Sequence, residues 1–504
     1  IHVALAQPQL QRAESKTDLK QSVASTVNVE QQQKVARLLD NIQYQPPQTG
    51  RSEQALRPTP APLTDTATLN PADLHRWFEA NFDRLNTDGN QFISDDEIDH
   101  AVLDQSFQGR DAQMLSALKV ARDELEELRN DEFGDEDDGI TRGDMNEFNR
   151  QVVETTTANK IKEFTNRNFT VLDRDHDGYI AADELTASLR SSRWTADERS
   201  TISAMASRIC DIEEVSNDEW GDENDGITRA DMAAWHGGEN QELITLVDQR
   251  LDRSQQILDR TDDRSLYNPS EPNGGVNPSA IRQDAIGDCY FLAALASVAN
   301  TNPQAIRDMI QDNGNGTYTV TFPGATDEPI TVTTPTDSEL SLYNENTNNG
   351  IWACVMEKAY GAYCNEHFYR RSPLHSDESI IPQEGADEGS LFADGLRILT
   401  GGGVDNDLNT FTSYSTMDRK LREAFADHRP VTAVAIAGAS HYNIASMHEY
   451  SVLRYDSRTH TIPIRNHWAH GEPAGNGPDD GIFTMTLEQF NTAFAGLNYA
   501  EQAV

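Results

Sequence analysis

The chain has 504 residues, room for three or four domains at roughly 100–200 residues each. It carries 83 Asp and Glu against 41 Lys and Arg, a formal charge of −42 that repels nucleic acid and anionic membranes and attracts cations. Its 37% apolar content excludes disorder throughout, and no apolar run approaches the roughly 18 residues of a transmembrane span. Four cysteines (Cys210, Cys289, Cys354, Cys364) include no Cys-x-x-Cys pair and are too few for a disulfide framework.

Residues 1–70 are rich in Gln, Thr, Ser and Pro and read as a flexible tail or pro-segment. The opening Ile-His-Val-Ala-Leu-Ala has the small-residue spacing of a signal-cleavage site at Ala4 and Ala6. Together with the acidic, Lys-poor composition, this favours a secreted or periplasmic protein over a cytoplasmic one. Asn70-Pro71 supplies a helix N-cap followed by proline at the first helical position. Leu74, Trp77, Phe78, Phe82 and Leu85 then recur at helical spacing, as a core face does.

From there to about 240 the chain repeats itself at an offset of 87 residues. Asn86-Thr-Asp88-Gly-Asn90 returns as Asp173-Arg-Asp175-His-Asp177, and the acidic run from Asn130 returns from Asn217. About half of all acidic residues fall in this third. The stretch from Asp173 to Glu184 fits the twelve-position EF-hand calcium loop. Asp173, Asp175 and Asp177 stand at positions 1, 3 and 5, the turn glycine Gly178 at 6, the Tyr179 carbonyl at 7 and a bidentate Glu184 at 12. Calcium needs such a crowd of hard oxygens because it takes six to eight ligands. A second loop, with Asn86, Asp88, Asn90, Phe92 and Glu97, has Asn at position 1 and Gln91 in place of the glycine, so weaker binding is expected. Two degenerate loops complete the pairs, one with Asp131, Asp135, Asp137 and Asp144, the other with Asp218, Asp222, Asn224 and Asp231. The expected helical pairs span 71–150 and 158–237. A helical linker and an open Pro- and Gly-rich loop follow over 238–278.

The remainder alternates apolar helices with strand-like runs such as Val431–Ile436, Tyr450–Tyr455 and Thr461–Arg465, an α+β pattern. Within it, Gln283-Asp-Ala-Ile-Gly287-Asp288-Cys289 places a thiol at the start of an apolar helix, where the helix dipole favours thiolate. Gln283 is spaced to donate an amide hydrogen to a developing oxyanion beside the Cys289 backbone N–H. His448 opens a strand and Asn466 ends the returning one, so a hairpin turning near Asp456 brings the two together. This is the Cys–His–Asn logic of papain-like proteases. His441 is the rival base, but lacks the Tyr450-Ser451-Val452 that follows His448.

On these residues the chain resembles the calpain family of cysteine proteases. The matching pieces, in the family's order, are Gln283 to Cys289, Trp352 with Glu357-Lys358-Ala359-Tyr360, Leu399-Thr400-Gly401-Gly402, His448-x-Tyr450-Ser451-Val452 and Arg465-Asn466-x-Trp468. The resemblance implies a two-lobed papain-like core, with Cys289 on a first lobe (279–385), His448 and Asn466 on a second (386–504), and Trp468 packed over the Asn. Tyr290 and His467 stand where the family usually carries Trp and Pro, and the EF-hand loops precede the protease instead of following it. The function expected is a calcium-binding endopeptidase making limited cuts in protein substrates, and also in itself at the Pro-rich tail or the 263–278 loop. The rival functions are acyl transfer on the same type of fold and a calcium-responsive scaffold with a dead core.

Overall fold

The computed structural model describes residues 68–129, 139–216, 226–260, 264–345, 348–367, 380–387, 392–409, 411–436, 442–473 and 478–504. The expected tail over 1–67, the loop residues Asp131, Asp135, Asp137, Asp218, Asp222 and Asn224, and the rival base His441 lie outside them. The described chain divides into two compact units, residues 68–98 with 117–252 and residues 99–116 with 253–504. Among the described residues no helix is long and apolar enough to cross a membrane.

The helical unit opens as its cap signals dictate. Asn70 caps helix Pro71–Leu85, its side chain accepting the Ala72 N–H, with proline at the first position. Trp77, Phe78, Phe82 and Leu85 are all buried. The 87-residue repeat reaches down to the backbone angles: Asn86 and Asp173 each end their helix at φ −70° and ψ 90°. Phe92–Ile93 pairs antiparallel with Ile140–Thr141, and one repeat later Ile180 bridges Ile227. All four isoleucines are fully buried, so each bridge ties two loops through a dry contact. Gly139 and Gly226 hold positive φ beside these bridges. A Cβ there would stand 2.3 Å from the Ile93 carbonyl oxygen and 2.7 Å from that of Ile180.

The boundary expected between the two pairs, near 150–158, is absent. Helix Arg142–Leu172 runs through it for 31 residues. Beyond Gly143 this stretch contains no glycine or proline to interrupt the helical ladder, and buried Gln151, Val152, Thr155 and Ala158 carry its apolar face across the join. Arithmetic on the repeat suggested a linker; the side chains require none.

The second unit mixes helices with antiparallel sheet. Its six strands lie in the order Ile482–Thr486, Thr461–Arg465, His448–Val452, Val431–Ala435, Gly496–Ala500 and Val404–Leu408. A smaller sheet joins Ile310–Asp312, Thr317–Val320 and Ile330–Thr333. Helix Cys289–Thr301 is buried along nearly its whole length. One apolar core surrounds it together with helices Trp352–His367 and Asp394–Thr400, and a second lies on the large sheet around Tyr450, Ile462, Ile464 and Phe483. Three bonds moor the helix to the sheet: Ser297 Oγ donates to Val431 O (2.7 Å), Ser451 Oγ to Ala293 O (2.9 Å) and Asn300 Nδ2 to Leu453 O (2.7 Å).

Two placements differ from the sequence reading. Residues 99–116, assigned there to the first helical pair, cluster with 253–504: Thr336 Oγ1 donates to Val102 O (2.6 Å), the Gly109 N–H donates to Asp337 (2.8 Å), and the Ser116 and Ser341 hydroxyls meet at 3.0 Å. Residues 264–278, read as an open loop, are packed. Val276 is fully buried in the first core, and Trp352 Nε1 donates to the Gly275 carbonyl (3.2 Å). Composition marked the prolines and glycines as loop formers but could not reveal that a tryptophan closes over them.

Gly226→Ala should destabilise the helical unit by about 2–4 kcal/mol, because backbone strain adds to a clash with the Ile180 carbonyl. Gly89→Ala, also at positive φ but with no atom within 4 Å of the new Cβ, should cost only about 1 kcal/mol. Denaturant melts of the two variants compare the costs, and equal losses would refute the clash.

Candidate active site

The nucleophile's position follows from local chemistry. Asp288 turns the chain into helix Cys289–Thr301, its carbonyl accepting the Phe291 N–H (2.9 Å) and the Leu292 N–H (3.2 Å). Cys289, 9% exposed, lies at the first helical position with its thiol against the backbone N–H of Glu449, the residue after His448. The helix end favours thiolate by about 1 kcal/mol, less than one pKa unit. Burial works the other way with several times that strength, and it wins, pushing the thiol up to about 12.

His448 sits on the facing strand, paired with Ala435 on the next one, and is 3% exposed. Its Nε2 lies 3.0 Å from Asn466 Oδ1. The Asn466 amide is pinned at both ends, Nδ2 donating to His470 O (3.0 Å) and Oδ1 accepting the Trp468 N–H (3.1 Å). Its oxygen therefore faces the imidazole, which assigns the proton to Nε2 and leaves the Nδ1 lone pair free. The ring packs between Trp468 (centroids 4.3 Å apart), His467 (4.6 Å) and the edge of Tyr450 (4.8 Å). Burial in this aromatic box lowers the imidazole to about 4, against the opposing pull of the Asn466 hydrogen bond. Burial thus works against charge on both the thiol and the imidazole.

Gln283 is 5% exposed and held from three sides. Its backbone N–H donates to His467 O (3.0 Å), its Nε2 to Ile286 O (2.8 Å), and its Oε1 accepts Trp468 Nε1–H (2.8 Å). Its second amide hydrogen is left by these bonds and leans toward Asp288, with which an oxyanion would compete for it. Gln283, Trp468, Asn466 and His448 are joined by these bonds and ring contacts although their extremes lie 185 residues apart, and Cys289 meets the same strand at Glu449.

Three acids beside this site were assigned no role from the sequence. Asp288 and Glu449 are fully buried next to the nucleophile and the base, and Glu357 on helix Trp352–His367 is 1% exposed. The signal was present: an ionisable residue within a run of apolar or motif residues. His467, standing where proline was expected, is fully buried with neither ring nitrogen partnered among the described residues, and burial holds it well below the usual imidazole range.

The metal-ligand candidates fall in the helical unit. Carboxylate oxygens of Asp173, Asp175 and Asp177 lie within 4.8 Å of one another, and Gly178 takes φ +103° at the turn. Asp173 Oδ1 is buried with no donor, as a metal-facing oxygen is. Glu184 accepts the backbone N–H groups of Arg174 and Ala181, so it closes the loop it would also serve. The loop from Asn86 is tied internally: Asn86 Nδ2 donates to Asn90 O (2.6 Å), Asn90 Nδ2 to Asp88 (2.9 Å), and Asn90 Oδ1 accepts the Phe92 N–H (2.9 Å). Glu97 accepts from Thr87 and Ser94. Asp144 and Asp231 are committed to capping boxes at Thr141 and Thr228, each reaching back to a second backbone N–H, at Arg129 and Ser216.

Comparison with known proteins places this geometry. Residues 245–481 match the profile described as calpain family cysteine protease. That stretch, a little under half of the chain, is similar to the calpain family's protease domain. It contains Gln283, Cys289, His448 and Asn466, and its mixture of helix and sheet is consistent with a calpain core; the loops at 86–97 and 173–184 lie outside it. The chain is 28% identical over 269 residues, 45% of its length, to the calpain-type cysteine protease DEK1 of Arabidopsis thaliana. Over 228 residues, 41% of its length, it is again 28% identical to DEK1 of Zea mays and to the calpain-type cysteine protease ADL1 of Oryza sativa subsp. japonica. The matched part spans only 10–12% of the length of these relatives.

Asn466→Ala should release the imidazole from a single tautomer. Nitrogen-15 spectra of wild type should show His448 protonated at Nε2 and titrating only near pH 4. The variant should show mixed tautomers, and mixed tautomers already in wild type would contradict the assignment.

Proposed function

We propose that the chain is a calcium-binding cysteine endopeptidase making limited cuts in protein substrates through Cys289, His448 and Asn466. The observation that carries this is the His448–Asn466 bond, with both ends of the Asn466 amide fixed, on the strand that the Cys289 thiol faces. Two cores meeting at the nucleophile's helix support the two-lobed papain-like arrangement.

In the first step the Cys289 proton passes to His448 Nδ1 and the sulfur attacks the scissile carbonyl. The oxyanion takes hydrogen bonds from the Cys289 backbone N–H and the remaining Gln283 amide hydrogen. The imidazolium then protonates the leaving amine, and a thioester stays on Cys289. A water, giving its proton to His448, attacks the thioester; the acid leaves and the thiol is restored. Asn466 keeps the ring in the tautomer this cycle needs throughout. Burial works against charge on both partners of the first proton transfer.

Cys289→Ala should abolish cleavage of protein substrates with the fold intact, and His448→Ala should be nearly as severe. His441→Ala should keep most activity; a dead His441→Ala would reassign the base. Gln283→Ala should lower kcat by on the order of 10²–10³. Full cleavage by Cys289→Ala would remove the protease reading, and a well-folded wild type with no cleavage under any calcium condition would favour the scaffold.

The calcium part of the proposal rests on the loop from Asp173 to Glu184, whose donor set and orphaned Asp173 oxygen suit a hard divalent cation. Asp173, Asp175, Asp177, the Tyr179 carbonyl and Glu184 would hold it. The internally bonded loop from Asn86 to Glu97 would bind more weakly, because its own hydrogen bonds must first be given up. Self-processing is retained for the Pro-rich stretch 43–68 alone, since 264–278 is packed. Calorimetry on Glu184→Gln should lose the tightest calcium site, while Glu97→Gln should lose a weaker one. Calcium should also shorten wild type, with new N-termini in 43–68, but not Cys289→Ser. Equal shortening of both proteins would remove self-processing.

A further inference from the structure

Asp288 and Glu357 take no part in the reaction as proposed, yet they lie directly behind the nucleophile. Glu357 Oε2 accepts the Asn344 N–H (2.8 Å). Its other oxygen, and both oxygens of Asp288, have no donor in hydrogen-bonding geometry among the described residues. The two carboxyls instead face each other within hydrogen-bond reach, with a weaker pull on Asp288 from the Gln283 amide. A buried acceptor left without a donor costs about 1–3 kcal/mol, and more when charged. Two carboxylates in contact in a dry interior cannot both ionise. A single proton between them removes the repulsion and gives one oxygen of each carboxyl a partner.

We propose that Asp288 and Glu357 share one proton, and that this proton-bound pair is a positioning device that fixes the Cys289 helix end against helix Trp352–His367. The shared proton stands on burial and geometry alone; its effect on turnover rests on the protease reading above.

The surroundings explain why the proton stays. The groups facing the pair are Asp284 and Asp387, the thiols of Cys289, Cys354 and Cys364, and the Tyr290 phenol, none of them a cation. Asp387 also accepts the Gly287 N–H (2.6 Å), and Asp284 has its own ion pair with Arg253 (3.3 Å). Burial, with the Asp387 charge adding to it, raises Asp288 to about 8 against the pull of the Glu357 hydrogen bond, and burial together with the Asp288 charge raises Glu357. For an acid whose pKa is higher folded than unfolded, the stabilisation is whole below the unfolded value. It is lost progressively as pH rises from there to the folded value, which burial and the neighbouring charge raise for both members of the pair.

Glu357→Gln tests this, since its amide N–H replaces the shared proton without titrating and keeps the pair's net charge at one. Wild-type Tm should fall by about 2–4 °C for each kcal/mol lost between pH 7 and 9.5, and the variant should stay nearly level. Infrared difference spectra, wild type minus Glu357→Gln at pH 7, should show the C=O stretch of a neutral carboxyl. Glu357→Ala should lower kcat on the order of 10- to 10²-fold with KM little changed, and Gln at the same position should restore most of it. If Ala does not fold, Asp288→Asn provides the second infrared comparison. Equal pH slopes in wild type and Glu357→Gln, with no neutral-carboxyl band, would overturn the shared proton. The expected band and slope in a wild type that cleaves nothing would leave the proton standing and overturn its role in turnover.

Discussion

Trp468 is the residue on which the rest of the site depends. Its indole N–H holds Gln283 Oε1, its backbone N–H holds Asn466 Oδ1, and its ring lies against His448. One residue, through its side chain for Gln283 and its backbone for Asn466, therefore sets the orientation of two amides from segments almost two hundred residues apart. An amide flipped at either position would present a donor where an acceptor is needed, or the reverse. Neither can flip without breaking a bond to the same tryptophan.

Burial is the second constraint, and it opposes the first. The aromatic box that orients His448 also strips it of water, as helix packing does for Cys289, so geometry is gained while charge is suppressed. The same exclusion of water acts on Asp288, Glu357 and Glu449, all held above the usual carboxylate range mainly by burial. A protein with a formal charge of −42 thus buries three acids beside its proposed nucleophile where burial works against their charge.

The parts of this arrangement legible in the sequence were those set by local chemistry. The Asn70-Pro71 cap, the helix starting at Cys289, the strands at 431, 448 and 461, and the 87-residue repeat all depend on neighbours a few residues apart. His448 and Asn466 could be paired because a single hairpin joins them. What stayed hidden depends on distant partners. Nothing near Val276 announces that Trp352 covers it, nothing near Asp337 announces the Gly109 N–H, and strand Gly496–Ala500, buried on both faces, has no alternation to mark it. Glu357 and Asp288 were visible within motifs, but their contact spans two helices and is written in neither.

The uninterrupted helix Arg142–Leu172 changes what counts as a module in this chain. At about 1.5 Å per residue it is a rod of roughly 46 Å, and it serves both repeats. The duplication visible in the sequence is therefore not a pair of separable beads. A cut near residue 150 would leave one half without the N-terminal turns of its helix and the other without its C-terminal ones. A half-length piece made for laboratory use would inherit a truncated helix instead of a finished domain.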